Sequence, residues 1–348
     1  MTKLKCIKNS QQLVDEGFAN PSDLTTLNEI SKKYTLTITR QIANNIDKSD
    51  PNDPIALQFI PSQEERLATP EELVDPIGDQ KESPIKGIVH RYKDRCLLMP
   101  VTVCSAYCRF CFRKERVGQN ERGLSRSELE SAFNYIESKK ELWEVILTGG
   151  DPLFIRPKLL NEILDRLESI NHVEILRIHT RMPFVEALKI DEDMLLALTR
   201  KKPLYIILHA NHAKEFSQEA IEAIEKLRRC GATLLSQSVL LKNINNNVDV
   251  LEELFRTFVR HRIKPYYLHH ADMTKGTSHF RTTIEEGQAL MRALRGRISG
   301  FAIPHYVLDI PGGFGKVPIN HCYLQSENTH YLVEDIKGTQ HAYPPTSV

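Results

Sequence analysis

VTVCSAYCRFCFRK, residues 101–114, sets Cys104, Cys108 and Cys111 in C-x3-C-x2-C spacing. Three thiolates this close can bind three irons of a 4Fe-4S cluster and leave the fourth iron open, whereas clusters that only carry electrons take four cysteines. An open iron points to chemistry at the cluster. Zinc also uses clustered cysteines, but it wants a fourth ligand from a second pair, and no C-x2-C or H-x3-H pair follows downstream. The other cysteines, Cys6, Cys96, Cys230 and Cys322, lack ligand spacing. Seven is an odd number for a disulfide framework, and a chain of 348 residues does not need one, so a reducing, cytoplasmic setting is expected.

Working outward from this stretch, the chain alternates short apolar or β-branched runs with amphipathic segments. The runs are 96–103, 144–148, 173–179, 204–209, 233–239 and 265–269; the helical segments between and after them are 126–139, 157–170, 191–200, 218–230, 248–260 and 284–294. Ser125 and Ser217 stand where helix N-caps belong. Six such alternations predict an α/β fold with a parallel sheet and right-handed crossovers, functional residues lying at the strand C-termini. Periodicity does not say whether the sheet closes. Residues 1–87 differ: they are polar, with short helical patterns at 9–16 and 24–30 and Pro-containing connections at 50–55 and 70–76.

Charge and hydropathy narrow the class. With 46 basic and 45 acidic residues the net charge is +1, unlike a general nucleic-acid binder. The N-terminus lacks an apolar h-region and no apolar run approaches ~20 residues, so neither export nor membrane insertion is expected.

Two further motifs carry chemistry. LTGGDP, residues 147–152, ends the second run; Gly149 and Gly150 let backbone approach a ligand, and equally suit a tight strand-to-helix turn. In DIPGGFGK, residues 309–316, Lys316 follows three glycines. A desolvated lysine there can form an imine with an aldehyde; a solvated one is an ordinary loop residue.

The cysteine spacing, with Phe110 before the third cysteine, resembles the signature of the radical S-adenosylmethionine enzymes. From about residue 88 to 318 the chain further resembles the lysine 2,3-aminomutase family, through HRYKDR, CSAYCRFCFRK, LTGGDP, LRIHTRMP, HANH, LLSQSVLL, SHFRT and DIPGGFGK. The resemblance implies a partial (βα)6 TIM-like barrel over 88–318 with an N-terminal helical extension over 1–87 and a C-terminal tail over 319–348. It implies an isomerase that interconverts L-lysine and β-lysine by 1,2-amino migration, using a 5'-deoxyadenosyl radical and a pyridoxal phosphate aldimine. Its cofactors are a 4Fe-4S cluster on Cys104, Cys108 and Cys111, S-adenosyl-L-methionine, and pyridoxal 5'-phosphate.

Carried over residue by residue, Lys316 binds pyridoxal phosphate covalently, Arg91 and Arg95 anchor its phosphate, and Tyr92 stacks on its ring. Gly149, Gly150, His209 and Gln237 contact S-adenosylmethionine. Arg113 takes the substrate carboxylate, and Asp272 with Asp309 takes the ε-ammonium, which favours lysine over glutamate. An electron donor such as flavodoxin or ferredoxin and a homo-oligomeric state are implied too, with the extension as a candidate interface. RIHTRMP, LRRCGATLLSQSVLL and PYYLHH also resemble the branch that makes β-lysine for elongation factor P modification; an aminomutase for another amino acid is a further alternative. The chain departs from the family in three places: no C-terminal cysteine cluster for zinc, Phe314 within the glycine run, and His269 and His270 where relatives are more often aromatic or aliphatic.

Overall fold

Period-two alternation in the short runs builds the sheet. In Ile175–Thr180, Leu176, Ile178 and Thr180 are buried while Ile175, Arg177 and His179 point the other way. The helices do the complementary thing: Pro157–Glu168 buries Leu160, Ile163, Leu164 and Leu167 at i, i+3, i+4 and i+7, each contributing about 1.5–3 kcal/mol by leaving water. Ser125 caps Arg126–Ser138 in a capping box with Glu128, and Ser217 caps Gln218–Arg229.

The computed structural model describes residues 6–118, 123–327 and 330–344; residues 1–5 of the expected extension and 345–348 of the expected tail lie outside them. Nine strands form one sheet in chain order: β1 Ile88–Tyr92, β2 Arg95–Val101, β3 Glu144–Gly149, β4 Ile175–Thr180, β5 Leu204–His209, β6 Thr233–Val239, β7 Lys264–His269, β8 His305–Asp309 and β9 Lys316–Pro318. Neighbours from β2 to β8 pair parallel, joined by crossover helices, while β1 and β9 pair antiparallel at the two edges. Since β1 and β9 do not pair, the sheet is a curled, open barrel of six βα units plus a seventh parallel strand.

The sequence reading is corrected in three places. HRYKDR, which lies ahead of the run at 96–103 where the expected sheet begins, itself forms the β1–β2 hairpin, with Tyr92 opposite Arg95. A seventh parallel strand, β8, carries Asp309; with a proline before it and a histidine and an aspartate at its ends, its apolar centre is only Tyr306–Leu308. Where a tail was expected, β10 Leu324–Glu327, β11 His330–Glu334 and β12 Gln340–Tyr343 make a separate antiparallel sheet.

Residues before β1 are not an appendage. Ile7, Leu13, Leu27, Ile38, Ile42, Ile55 and Phe59 form their own apolar cluster, which takes in Ala106 of the cysteine loop and Val185. Among the described residues no helix is long and apolar enough to cross a membrane.

Candidate active site

The cysteine loop follows β2, at the strand C-termini. Gly150 N donates to Val101 O (2.7 Å) and Asp151 N to Val103 O (3.1 Å). A Cβ on Gly150 would lie 2.4 Å from Val103 O and 2.5 Å from Val103 N, so only glycine fits. The close approach that Gly149 and Gly150 allow is therefore to the backbone leading into Cys104. Thr148, and neither glycine, borders the large cavity described below.

Cys104, Cys108 and Cys111 border one small cavity of ≈ 50 Å³. Burial pushes all three thiols up, Cys104 well above the usual range and Cys111 to about 11, so they give up protons only against strong local positive charge. Iron supplies such charge. Among the described residues no three His, Cys, Asp or Glu side chains are grouped to hold a single metal ion. Three thiols bordering one space suit a cluster that takes one iron per cysteine.

This loop is clamped by the N-terminal segment. Arg109, between two of the cysteines, donates to Glu65 through Nε (2.8 Å) and Nη2 (2.6 Å), and Lys114 Nζ donates to the same carboxylate (2.9 Å) and to Gly276 O (3.2 Å). All three side chains are buried. Arg181, directly after β4, donates from Nη1 to Cys108 Sγ (3.3 Å).

Inside the half-barrel lies a cavity of ≈ 760 Å³, bordered by Arg91, Tyr92, Arg95, Arg113, His209, Gln237, Asp272, Asp309 and Lys316. Every predicted cofactor and substrate side chain except those of the cysteine loop and the glycine pair thus meets one space. Lys316 reaches it by a chain reversal: Gly312, Gly313 and Gly315 have positive φ, Ile310 N donates to Gly315 O (2.8 Å), and Lys316 lands opposite Asp309. Phe314 is 73% exposed and does not border the cavity that Lys316 meets. Lys316 Nζ donates to Asp309 Oδ2, its backbone N donates to Tyr92 OH (2.8 Å), and His269 Nδ1 is 3.2 Å from both Lys316 Nζ and Asp309 Oδ2.

Electrostatics divide the two aspartates. Burial alone would raise Asp309, but the His269 hydrogen bond and the Lys316 charge outweigh it and hold the carboxyl well below its usual range. Among the described residues Asp272 has no hydrogen-bonded partner of that kind, and burial first, then the charge of Asp309, outweigh Lys316 and Arg113 and push it up to about 7. Burial lowers Lys316 although Asp309 opposes this. Asp309 is therefore ionised and occupied, while Asp272 is poised to ionise beside an incoming cation.

The arginines are less free than their motif suggested. Asp79, from the N-terminal segment, bridges Arg91 (3.4 Å) and Arg113 (2.7 Å), and Arg91 Nη2 also donates to Ile77 O (2.5 Å). Arg95 pairs with Asp94 and lies 3.8 Å over the Tyr92 ring, so one face of Tyr92 is taken by the guanidinium. Buried Arg91 Nε and Arg177 Nε have no hydrogen-bond partner among the described residues. With Lys316 and the aromatic Tyr92 and Tyr267 nearby, these donors fit an anionic, ring-bearing aldehyde such as pyridoxal phosphate. On the facing strands His209 and Gln237 are register partners, and His179 Nδ1 lies 3.1 Å from His209 Nε2 with its own Nε2 buried and unpartnered. That polar wall fits the ribose or amino-acid end of S-adenosylmethionine.

Asp79 and His179 escaped the sequence reading, which also gave Arg177, Arg181 and His269 no role in the site. Alternation in ILRIHT already set Arg177 and His179 on one face, opposite Leu176 and Ile178; Asp79 gave no local signal because its partners are 12 and 34 residues away.

Comparison with known proteins places this geometry. The Radical SAM superfamily model matches residues 98–256, and the Lysine-2,3-aminomutase model matches residues 291–346. A relative from Aquifex aeolicus is 40% identical over 321 residues, spanning 90% of this chain and 86% of its own length. The L-lysine 2,3-aminomutase of Bacillus subtilis is 35% identical, spanning 90% of this chain and 67% of that protein. The glutamate 2,3-aminomutase of Clostridioides difficile is 36% identical, spanning 88% and 72%. Among solved structures, Streptococcus suis SuiB bound to S-adenosylmethionine is 13% identical, with a TM-score of 0.45 over 61% of this chain and 49% of that one.

Proposed function

The chain belongs to the lysine 2,3-aminomutase family of radical S-adenosylmethionine enzymes, and from that premise we propose that it interconverts L-lysine and β-lysine by moving an amino group between adjacent carbons. Similarity alone does not separate lysine from glutamate, since a glutamate enzyme matches about as well as the lysine ones. The observation that carries the choice is the pair Asp272 and Asp309 bordering the same cavity as Lys316 and Arg113. Asp272, together with Asp309 once Lys316 is engaged with the cofactor, favours a substrate whose side chain ends in a cation and repels one that ends in a carboxylate.

When bound, the cluster with S-adenosylmethionine supplies a carbon radical for hydrogen abstraction, and pyridoxal phosphate supplies a conjugated ring over which unpaired spin spreads. The chain's own residues do the rest. Cys104, Cys108 and Cys111 would hold the cluster, with His209 and Gln237 toward S-adenosylmethionine and the Gly149–Gly150 turn packed on the backbone that leads into Cys104. Lys316 would hold pyridoxal phosphate, with Arg91 and Arg95 toward its phosphate. Arg113 offers the fork that suits the substrate carboxylate, and Asp79 keeps that fork oriented. His269 Nδ1, 3.2 Å from both Lys316 Nζ and Asp309 Oδ2, helps position that amine and carboxylate, and burial and the Lys316 charge keep the imidazole neutral.

The same proposal includes a one-electron donor of the flavodoxin or ferredoxin class and a homo-oligomeric state. Light scattering at micromolar concentration tests the latter; a monomer mass rejects it. The activity itself is tested by anaerobic incubation of reconstituted protein with dithionite, S-adenosylmethionine, pyridoxal phosphate and L-lysine, reading β-lysine by mass spectrometry. β-Lysine that disappears when either cofactor is omitted supports the reading. Cleavage of S-adenosylmethionine with lysine untouched, or turnover of glutamate instead, rejects the substrate assignment.

A further inference from the structure

Arg181 is buried and held from three directions. Nη1 donates to Cys108 Sγ (3.3 Å), Nη2 donates to Gln58 Oε1 (2.5 Å) and to Glu215 Oε2, and the rings of Phe59 and Phe110 lie 5.0 and 5.3 Å from its guanidinium carbon. Its backbone N donates to Asp151 Oδ2 (2.8 Å). Glu215 is itself fixed, accepting from Asn211 N (2.7 Å) and His212 N (3.0 Å) on its other oxygen. Three elements distant in sequence therefore converge to aim one cation at one cysteine sulfur. Packing alone does not call for this: a buried charge pair is costly to assemble, and a hydrophobic residue of similar size is often as stable.

We infer that Arg181 sets the reduction potential of the cluster through its charge and its hydrogen bond to Cys108 Sγ, and that Glu215 moderates that effect. The inference rests on the reading that Cys104, Cys108 and Cys111 hold a 4Fe-4S cluster. Reduction adds one electron, delivered by a low-potential one-electron reductant, to the oxidised cluster; no proton moves and no protein bond breaks. The added negative charge stays in a buried, weakly screened place, where a guanidinium in contact with a ligating sulfur stabilises it. Glu215, bonded to the far side of the same guanidinium, opposes part of that field. Arg181 thus makes the first electron easier to accept, and Glu215 prevents the potential from rising so far that the reduced cluster loses its driving force.

The test uses full-length protein, reconstituted anaerobically and titrated with dithionite and mediators while the reduced cluster is followed by electron paramagnetic resonance. Arg181→Gln is expected to lower the midpoint by about tenfold in the reduction equilibrium, ~59 mV for one electron, with iron content unchanged. Glu215→Gln is expected to shift it upward. An Arg181→Gln protein with full iron and an unchanged midpoint overturns the inference. If Arg181→Gln does not retain iron, Glu215→Gln decides alone: an upward shift supports the inference and an unmoved midpoint overturns it. Unsubstituted protein that takes up no 4Fe-4S signal overturns the cluster reading itself, a result distinct from a normal signal with insensitive variants.

Discussion

Glu65→Gln is the most searching perturbation of the link between the N-terminal segment and the cysteine loop. Glu65 is 2% exposed and is the one carboxylate bonded to both Arg109, itself 2% exposed, and Lys114. Gln keeps the shape and one acceptor but removes the charge, leaving two buried cations. Lys114 is already pushed down by burial against the pull of Glu65, and removing that carboxylate pushes it down further, so Arg109 carries the larger share of the uncompensated charge. Removing one partner of a buried pair costs roughly 3–5 kcal/mol. At about 2 °C per kcal/mol for a chain of this size, Tm should fall by roughly 6–10 °C. Because Arg109 lies between Cys108 and Cys111, iron uptake on reconstitution should fall as well. The pH dependence has a definite sign. Burial raises the Glu65 carboxyl, but Arg109 and Lys114 outweigh it and lower it overall. Its contribution is thus complete above the unfolded carboxylate value, about 4.3, and is lost as pH falls through the folded value. The assay is thermal unfolding across pH with iron quantified in parallel, and Glu225→Gln as control. Glu225 pairs with Arg228 and Arg229 in solvent, so its loss should leave Tm within error. Equal Tm for Glu65→Gln and the control at pH 7 would refute the clamp.

Lys316→Ala should keep the iron and lose the pyridoxal-dependent visible absorbance, with borohydride failing to fix the cofactor to the chain; absorbance and covalent labelling that persist would remove Lys316 from that role. Asp272 ionises near pH 7, so the KM for lysine should rise as pH falls below about 7, and Asp272→Asn should raise KM and flatten that dependence; a variant with the original profile excludes Asp272 from the substrate site. Gly150→Ala places a methyl 2.4 Å from Val103 O, which must displace the backbone before Cys104; iron per chain should drop at least several-fold, and full iron content would show that the loop yields without cost.

How far the sequence reached depended on the range of the interactions. Helix Val248–Arg260 and strands β5 and β6 were legible to the residue because their apolar periods and caps are local. The site was legible where a motif is contiguous: the cysteine triplet, the glycine pair, and the lysine behind its glycine run. It was illegible where a partner comes from elsewhere in the chain. Asp79 meets Arg113 across 34 residues, and Arg181 meets Cys108 across 73. Neither spacing has a period, and only folding gives it a meaning.

What the sequence by itself determined was the inventory: three cysteines at ligand spacing, six strand and helix alternations, a lysine on a glycine turn, and carboxylates suited to an ammonium. Only the tertiary structure decided how these charges are shared. It spends Asp309 on Lys316 and leaves Asp272 half-ionised near neutrality, sets Asp79 between two arginines, and uses Glu65 of the segment before β1 to clamp the cysteine loop. The physical reason is that a side chain's charge state and free donors depend on burial and on neighbours a few ångströms away, and those neighbours are chosen by the fold, not by adjacency along the chain.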